Sequence, residues 1–291
     1  MARARKPPRG KGHRREGRRP PRGQHFLADP RVRSRIVSRL DCRPEDCWLE
    51  IGAGHGEMTL GLAESGRTVA AIESDPELAA SLRERLAGFP RARVVQADIL
   101  KVSLAALARE AGCARWRVYG NLPYYLTSPI LRHLFEAIEV VADIHVVVQR
   151  EVAERLVAAP GGRDYGYLSV MTQFYTVAAI LQAIPRGAFR PPPRVESCLV
   201  RLAPPGKQTE LGIKEAETFL RFVGACFRQK RKTLLNNLRA AYGSERVQTA
   251  LAEAGLNPRA RAEELALEKL AHLFRLLGPP GRFVVAAESL W

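Results

Sequence analysis

The 291-residue sequence predicts an α/β protein, a Rossmann-like doubly wound parallel sheet followed by a small all-helical domain. Three observations carry that expectation. A short apolar run, Cys47 to Ile51, leads straight into Gly52-Ala53-Gly54-His55-Gly56 and then into helical spacing from Glu57 to Ala63; strand, glycine turn and helix together open a nucleotide-binding unit. Apolar strands and helical periods then alternate up to about residue 150, as a parallel sheet with crossover helices requires. From Lys214 onward the spacing is helical, with Phe219, Phe222, Val223 and Phe227 on one face.

Composition narrows the partners. No apolar run approaches the ~18 residues of a membrane helix, so a soluble chain without a membrane partner is expected. The net charge is +16, and residues 1–22 hold ten Lys or Arg against the single acid Glu16. That segment is read as a disordered basic arm whose natural partners are polyanions. It shows neither the apolar core of a secretory signal nor the amphipathic pattern of a transit peptide, which makes the cytoplasm the expected location. Cys42, Cys47, Cys113, Cys198 and Cys226 are scattered without metal-ligand spacing and are read as free thiols, so neither zinc nor a disulfide is expected.

Taken in order, Arg31 to Leu40 follow a helical pattern with Val32, Ile36, Val37 and Leu40 on one face. After the glycine turn, the strand Arg67 to Ile72 ends at Glu73, 21 residues beyond Gly52, where a carboxylate can accept hydrogen bonds from both hydroxyls of a ribose. A dinucleotide pattern would need glycine at position 57, which is Glu57. S-adenosylmethionine, a nucleoside without phosphate, therefore fits Gly52, Gly54 and Glu73 better than NAD does. Pro76 to Leu86 reads as a helix capped by Asp75, and Ala92 to Gln96 as a strand ending at Asp98, placed to accept from an adenine amino group. A helix at 104–111, a strand from Trp116 to Tyr119, a helix from Ser128 to Ile138, a strand from Asp143 to Gln149 and a helix from Glu151 to Ala158 follow. Residues 166–184 and 195–202 are expected to complete the sheet as a late hairpin, with Phe189 to Arg194 as a stiff basic loop between them. The expected units are a basic arm 1–22, a Rossmann-like domain 23–204, a linker 205–213, a helical RNA-binding domain 214–278 and a tail 279–291.

The stretch Gly120-Asn121-Leu122-Pro123-Tyr124-Tyr125 carries the candidate chemistry. An adenine N6 amino group is a poor nucleophile because its lone pair is delocalised into the ring. Asn121 Oδ1 and the Leu122 carbonyl can accept its two hydrogens, Pro123 stiffens the peptide that presents them, and Tyr124 offers a stacking face worth ~1–3 kcal/mol. A methyl group then passes in line, so placement does most of the work. A base held in a duplex cannot enter such a pocket, so a single-stranded, looped or flipped base is expected, with Phe189 as a second stacking surface. The run Arg228-Gln229-Lys230-Arg231-Lys232 is expected to extend along a basic helix and to meet RNA phosphates through Arg228, Lys230, Arg231 and Lys232.

These segments resemble the KsgA family of bacterial small-subunit ribosomal RNA adenine N6,N6-dimethyltransferases. The likeness runs from about Gly23 to Leu276, through Gly-Gln-His-Phe-Leu at 23–27, Glu-Ile-Gly-Ala-Gly at 50–54, Gln-Ala-Asp at 96–98 and Gly-Asn-Leu-Pro-Tyr at 120–124. It continues through Gln-Arg-Glu-Val-Ala-Glu-Arg-Leu at 149–156, Tyr-Gly-Tyr-Leu-Ser-Val at 165–170, Phe-Arg-Pro-Pro-Pro-Arg-Val at 189–195 and Phe-Arg-Gln-Lys-Arg-Lys-Thr at 227–233. The resemblance implies S-adenosylmethionine contacts at His25, Leu27, Gly52, Glu73, Asp98 and Asn121, with Asn121, Leu122 and Tyr124 at the acceptor. It also implies four methyl transfers to two adjacent adenosines in the 3'-terminal hairpin loop of 16S rRNA during small-subunit assembly, by a monomer. His25 stands where the family usually has Asn, Ala53 where it often has Pro, and the arm is unusually long.

Other readings are an Erm-type 23S rRNA methyltransferase, a DNA adenine methyltransferase and a non-catalytic RNA-binding assembly factor. Tyr124 in place of Phe, the 227–233 segment and the full helical domain weigh against the first. No target-reading domain supports the second, and the intact Gly52, Gly54, Glu73, Asp98 and Asn121 weigh against the third.

Overall fold

The computed structural model describes residues 25–64 and 67–280, so the basic arm, Gly23, Gln24 and residues 281–291 of the tail lie outside the described residues. The chain opens with the two-residue strand β1 (Phe26–Leu27) and helix α1 (Pro30–Arg39), where Asp29 caps the helix by accepting from Arg31 N at 2.8 Å. The sheet starts with β2 (Cys47–Ile51), α2 (Glu57–Ala63), β3 (Thr68–Glu73), α3 (Pro76–Arg85) and β4 (Ala92–Gln96). It continues through α4 (Leu104–Ala111), β5 (Trp116–Asn121), α5 (Thr127–Glu136), β6 (Val141–Gln149) and α6 (Arg150–Val157). Then come α7 (Tyr167–Tyr175), β7 (Val177–Ile184), the short β8 (Phe189–Arg190) and β9 (Ser197–Ala203). The C-terminal helices are α8 (Ala216–Phe227), α9 (Leu234–Tyr242), α10 (Ser244–Glu253) and α11 (Leu267–Leu277).

Strand order in the seven-stranded sheet is β4-β3-β2-β5-β6-β9-β7, parallel from β4 to β6, with β9 antiparallel to both of its neighbours. The chain winds outward from β2 to β4 and then returns to β5, so the winding reverses between β2 and β5. Ligands of open α/β sheets bind in the crevice at such a switch point, beyond the carboxyl ends of the strands. Alternation along each strand divides the core in two. Leu49, Ile51, Val118, Val146 and Val200 face α4 to α7 and share one continuous apolar cluster with Phe219, Phe222 and Leu270 of the C-terminal helices. Trp48, Val69, Tyr119, Val147 and Leu199 face α1 to α3. β1 and β8 form a separate antiparallel ribbon over that second layer, with Phe26 opposite Arg190.

Four expectations need correction. Cys47 and Cys113 form a disulfide rather than free thiols, while Cys42, Cys198 and Cys226 remain reduced. Cys47 opens β2 and Cys113 precedes β5, so strand pairing brings the two ends together with their Cα atoms 6.0 Å apart. Residues 167–175 form α7, started by Gly166 N donating to Ser169 Oγ at 3.1 Å, and the late hairpin is confined to β7 and β9. The basic run 228–232 is an exposed connector between α8 and α9 rather than a helix. Its turn is held by Asn237 Nδ2, which donates to the carbonyls of Cys226 (2.7 Å) and Gln229 (3.2 Å), satisfying groups that the end of α8 leaves unpaired. Finally, Phe189 is only 1% exposed, because the β1–β8 ribbon turns its ring into the layer beneath α1; it cannot stack on an incoming base.

Candidate active site

At the carboxyl end of β2 the chain turns sharply. Gly52 has φ +67°, and nothing lies within 4 Å of where its Cβ would stand, so bare backbone faces an open crevice. Gly54 has φ +55°, and a Cβ there would come within 2.9 Å of the Phe26 ring, so this glycine lets the β1 segment close over the turn. The rings of Phe26 and His55 lie 4.8 Å apart across the same contact. From the neighbouring strand, Glu73 Oε2 accepts from Gly54 N at 2.8 Å and Oε1 from Asp75 N at 2.9 Å, which fixes the carboxylate at the end of β3. Asp98 follows β4, its backbone tied alongside through Ala97 N to Glu73 O at 3.1 Å. Its carboxylate is exposed and accepts from Leu100 N at 3.1 Å, so it caps the next turn and still presents acceptor lone pairs outward.

Asn121 ends β5 directly beside the glycine turn, since Gly120 pairs with Ile51. Its Nδ2 donates to the His25 carbonyl at 2.7 Å, which commits the amide nitrogen to the protein and leaves Oδ1 as the acceptor. Leu122 is buried, with its N–H donated to Val147 O at 3.1 Å. The following turn closes on the Pro123 carbonyl, which accepts from Leu126 N (2.9 Å) and Thr127 Oγ1 (3.1 Å), leaving the Leu122 carbonyl outside that turn. The half-buried Tyr124 ring is held by its hydroxyl, 3.4 Å from Ser197 Oγ, and faces the His25 ring at 5.4 Å; burial raises its phenol pKa. His25 Nδ1 also lies 2.8 Å from the Pro191 carbonyl, so His25 ties the Asn121–Tyr124 segment to the proline loop.

The sequence-predicted residues thus separate by role. Gly52, Gly54, Glu73 and Asp98 line the ends of β2 to β4; His25, Asn121, Leu122, Pro123 and Tyr124 gather at the end of β5. Leu27 sits beneath the ribbon with its side chain in the core. Phe189 is absent from the site, and the aromatic ring that does stand in solvent is Tyr125, 69% exposed. Sequence reasoning also passed over Glu50, whose signal was an acid inside the apolar strand Cys-Trp-Leu-Glu-Ile, and Ser197, which nothing in the local sequence marked.

The donor set fits S-adenosylmethionine. Glycine backbone without a following phosphate cradle, a fixed carboxylate and an outward-facing Asp suit a nucleoside, and the net charge of that lining suits a cation. When bound, the cofactor would supply an electrophilic methyl group next to Asn121. A separate cleft of about 500 Å³ is lined in part by Ser128 at the start of α5, by Arg155, Arg163, Arg228 and Lys230, and by Glu151 and Asp164. Lys230 Nζ donates to the Arg163 carbonyl at 2.7 Å, joining the α8–α9 connector to the loop before α7, while Arg228, Arg231 and Lys232 are exposed. Among the described residues no cluster of His, Cys, Asp and Glu could hold a metal ion, and no helix is long and apolar enough to cross a membrane.

Comparison with known proteins agrees with this geometry. Residues 16–278 match the family model described as ribosomal RNA adenine dimethylase. The chain is 44% identical over 259 residues to ribosomal RNA small subunit methyltransferase A of Acidobacterium capsulatum, covering 89% of this chain and 90% of that one. It is 40% identical over 263 residues to the protein of the same name from Moorella thermoacetica, covering 88% and 91%. Among solved structures, a dimethyladenosine transferase from Plasmodium falciparum shares the fold with a TM-score of 0.71 at 21% identity, covering 88% of this chain and 99% of that one. The 23S rRNA methyltransferase ErmE superposes with a TM-score of 0.64 at 30% identity, covering 87% and 99%. With a switch-point crevice, a clamped Glu73, an oriented Asn121 and similarity that runs over residues 16–278, the chain belongs to the ribosomal RNA adenine dimethylase family.

Proposed function

We propose that the protein transfers methyl groups from S-adenosylmethionine to the N6 atoms of two adjacent adenosines in the 3'-terminal hairpin loop of 16S rRNA. On this reading it works as a cytoplasmic monomer on the assembling small subunit. The observation that carries it is the amide of Asn121: with Nδ2 spent on the His25 carbonyl, Oδ1 accepts one N6 hydrogen, and the Leu122 carbonyl accepts the other. Two fixed acceptors favour a pyramidal nitrogen with an exposed lone pair, so the positioned dipoles lower the barrier without a strong base. Gly52, Gly54, Glu73 and Asp98 hold the donor. Tyr124, anchored by Ser197, stacks on the acceptor base, and the exposed Tyr125 beside it takes the outer stacking role expected of Phe189. The choice of ribosomal subunit is supported by the curated relatives at 40–44% identity, against 30% for ErmE. Arg228, Lys230, Arg231 and Lys232 are assigned to RNA phosphates beside the cleft.

The test is methylation with labelled S-adenosylmethionine of small subunits from a strain lacking the modification, with large-subunit rRNA and DNA in parallel. Label in the N6,N6-dimethyladenosines of the small-subunit hairpin is expected. Label confined to the large subunit would replace this reading with the Erm-type one.

A further inference from the structure

Glu50 is a carboxyl in the wrong place for a structural acid. It lies in the middle of the parallel sheet, two positions before Gly52, is 3% exposed, and has an Oε2 with no hydrogen-bond partner. Among the described residues no cation is paired with it. Thr59 of α2 is buried opposite it, its Oγ1 also falling short of hydrogen-bond geometry, and Glu57 of the same helix and Glu73 of β3 add negative charge. From β5 its register partner Tyr119 presents a buried, unpaired hydroxyl. Two cations nearby are engaged elsewhere: Arg33 of α1 acts on Tyr119 and is held by the carbonyls of Leu27 and Ala28, and Arg85 of α3 stands 4.0 Å from Glu57. Burial first, and then Glu57 and Glu73, push the Glu50 carboxyl up to about 8, with Thr59 acting the other way. The free protein therefore holds a proton on Glu50 at neutral pH, directly behind the turn that receives the donor.

The donor and its product differ in one respect at that turn. S-adenosylmethionine carries a sulfonium charge, and S-adenosylhomocysteine carries none. A positive charge favours the ionised form of a nearby carboxyl, and the effect is larger where water is excluded. Resting on the cofactor reading above, we infer that Glu50 is a proton-linked sensor of the donor's charge: binding of S-adenosylmethionine expels the Glu50 proton to solvent, and loss of the sulfonium charge draws a proton back. The carboxylate is then stable only beneath the cation, so the site favours substrate over spent product and promotes product release. Glu50 acts as a positioning residue for charge and does not touch the transferring methyl. The sign follows from linkage. Below about pH 8 the free state holds the proton that the bound state has lost, so donor affinity rises with pH, by at most tenfold per unit for one proton, and levels off above 8. Product affinity follows a shallower line.

The test is calorimetric titration of the full chain with S-adenosylmethionine and with S-adenosylhomocysteine at pH 7.0 in phosphate, HEPES and Tris, whose ionisation heats differ. About 0.5–0.9 proton is expected to leave per donor bound, and less than half as much per product. Glu50→Gln copies the shape of the neutral carboxyl; it should fold, release almost no proton with either ligand, and lose the pH dependence of donor affinity. Equal release for donor and product in the wild type, or unchanged release in Glu50→Gln, overturns the inference. Failure of the wild type to bind the donor removes the cofactor reading and the inference together. Absence of rRNA methylation with proton release intact removes only the rRNA reading.

Discussion

Asn121 presents its amide nitrogen to the His25 carbonyl at 2.7 Å, and the consequence falls on the oxygen at the other end of the same amide. A free asparagine could flip; this one is committed as an acceptor toward the crevice. Asn121→Ala removes that acceptor while leaving Gly52, Gly54 and Glu73 in place. Methyl transfer is expected to fall by ~10²–10³-fold, the cost of one preorganised polar contact to the reacting group, with donor affinity within about threefold of wild type. Turnover near wild type in a single-turnover assay would remove the amide from the chemistry. His145 shows how differently a polar residue behaves away from the crevice. Fully buried in β6, it has its pKa pushed down to about 4, chiefly by burial, and both ring nitrogens are unpaired. Its 3.7 Å approach to Asp143 is no ion pair, because the imidazole is neutral and Asp143 is already bound twice by Arg117 at 3.0 Å.

At the scale of elements, β2 and β5 carry both halves of the candidate site. Their carboxyl ends deliver the glycine turn and Asn121, and their amino ends are joined by Cys47–Cys113. The bond closes a 66-residue separation that contains Gly52, Gly54, Glu73 and Asp98 and stops short of Asn121. Closing a loop of that size restricts the unfolded chain by about 4 kcal/mol. Cys47→Ser is therefore expected to lower the melting temperature by roughly 10 °C, with donor affinity unchanged because the bond lies at the opposite edge of the sheet from the crevice. Thiol titration of the denatured, unreduced chain should find three reactive cysteines, rising to five after reduction. Five thiols without reductant would remove the staple.

For the whole molecule, charge and fold act together. The chain carries +16, and the exposed connector between α8 and α9 bears Arg228, Arg231 and Lys232, of which Arg228 lines a cleft shared with Arg155 and Arg163. Replacing those three by Ala should weaken RNA binding and reduce the slope of log affinity against log salt by about 2–3, close to one counterion per lost phosphate contact. Filter binding between 50 and 300 mM salt measures it, roughly the range where such contacts are screened; an unchanged slope would place the RNA elsewhere. The parallel sheet, the glycine turn, Glu73 at the next strand end and the Asn-Leu-Pro-Tyr segment were all legible in the chain, because each rests on spacing within one or two elements. The helix start at Asp75-Pro76 was legible for the same reason, since a cap is a local hydrogen bond. The pairing of Cys47 with Cys113, the burial of Phe189, the grip of Ser197 on Tyr124 and the isolation of Glu50 were not. Each depends on which strands become neighbours when the winding reverses, and that contact between distant segments is decided by the packing of the sheet as a whole. The sequence by itself determined the fold class and nominated the candidate residues of the site. Only the tertiary structure decided which way Asn121 faces, which aromatic ring meets solvent and which carboxyl is buried without a partner, because orientation, exposure and desolvation are properties of surroundings that no single segment contains.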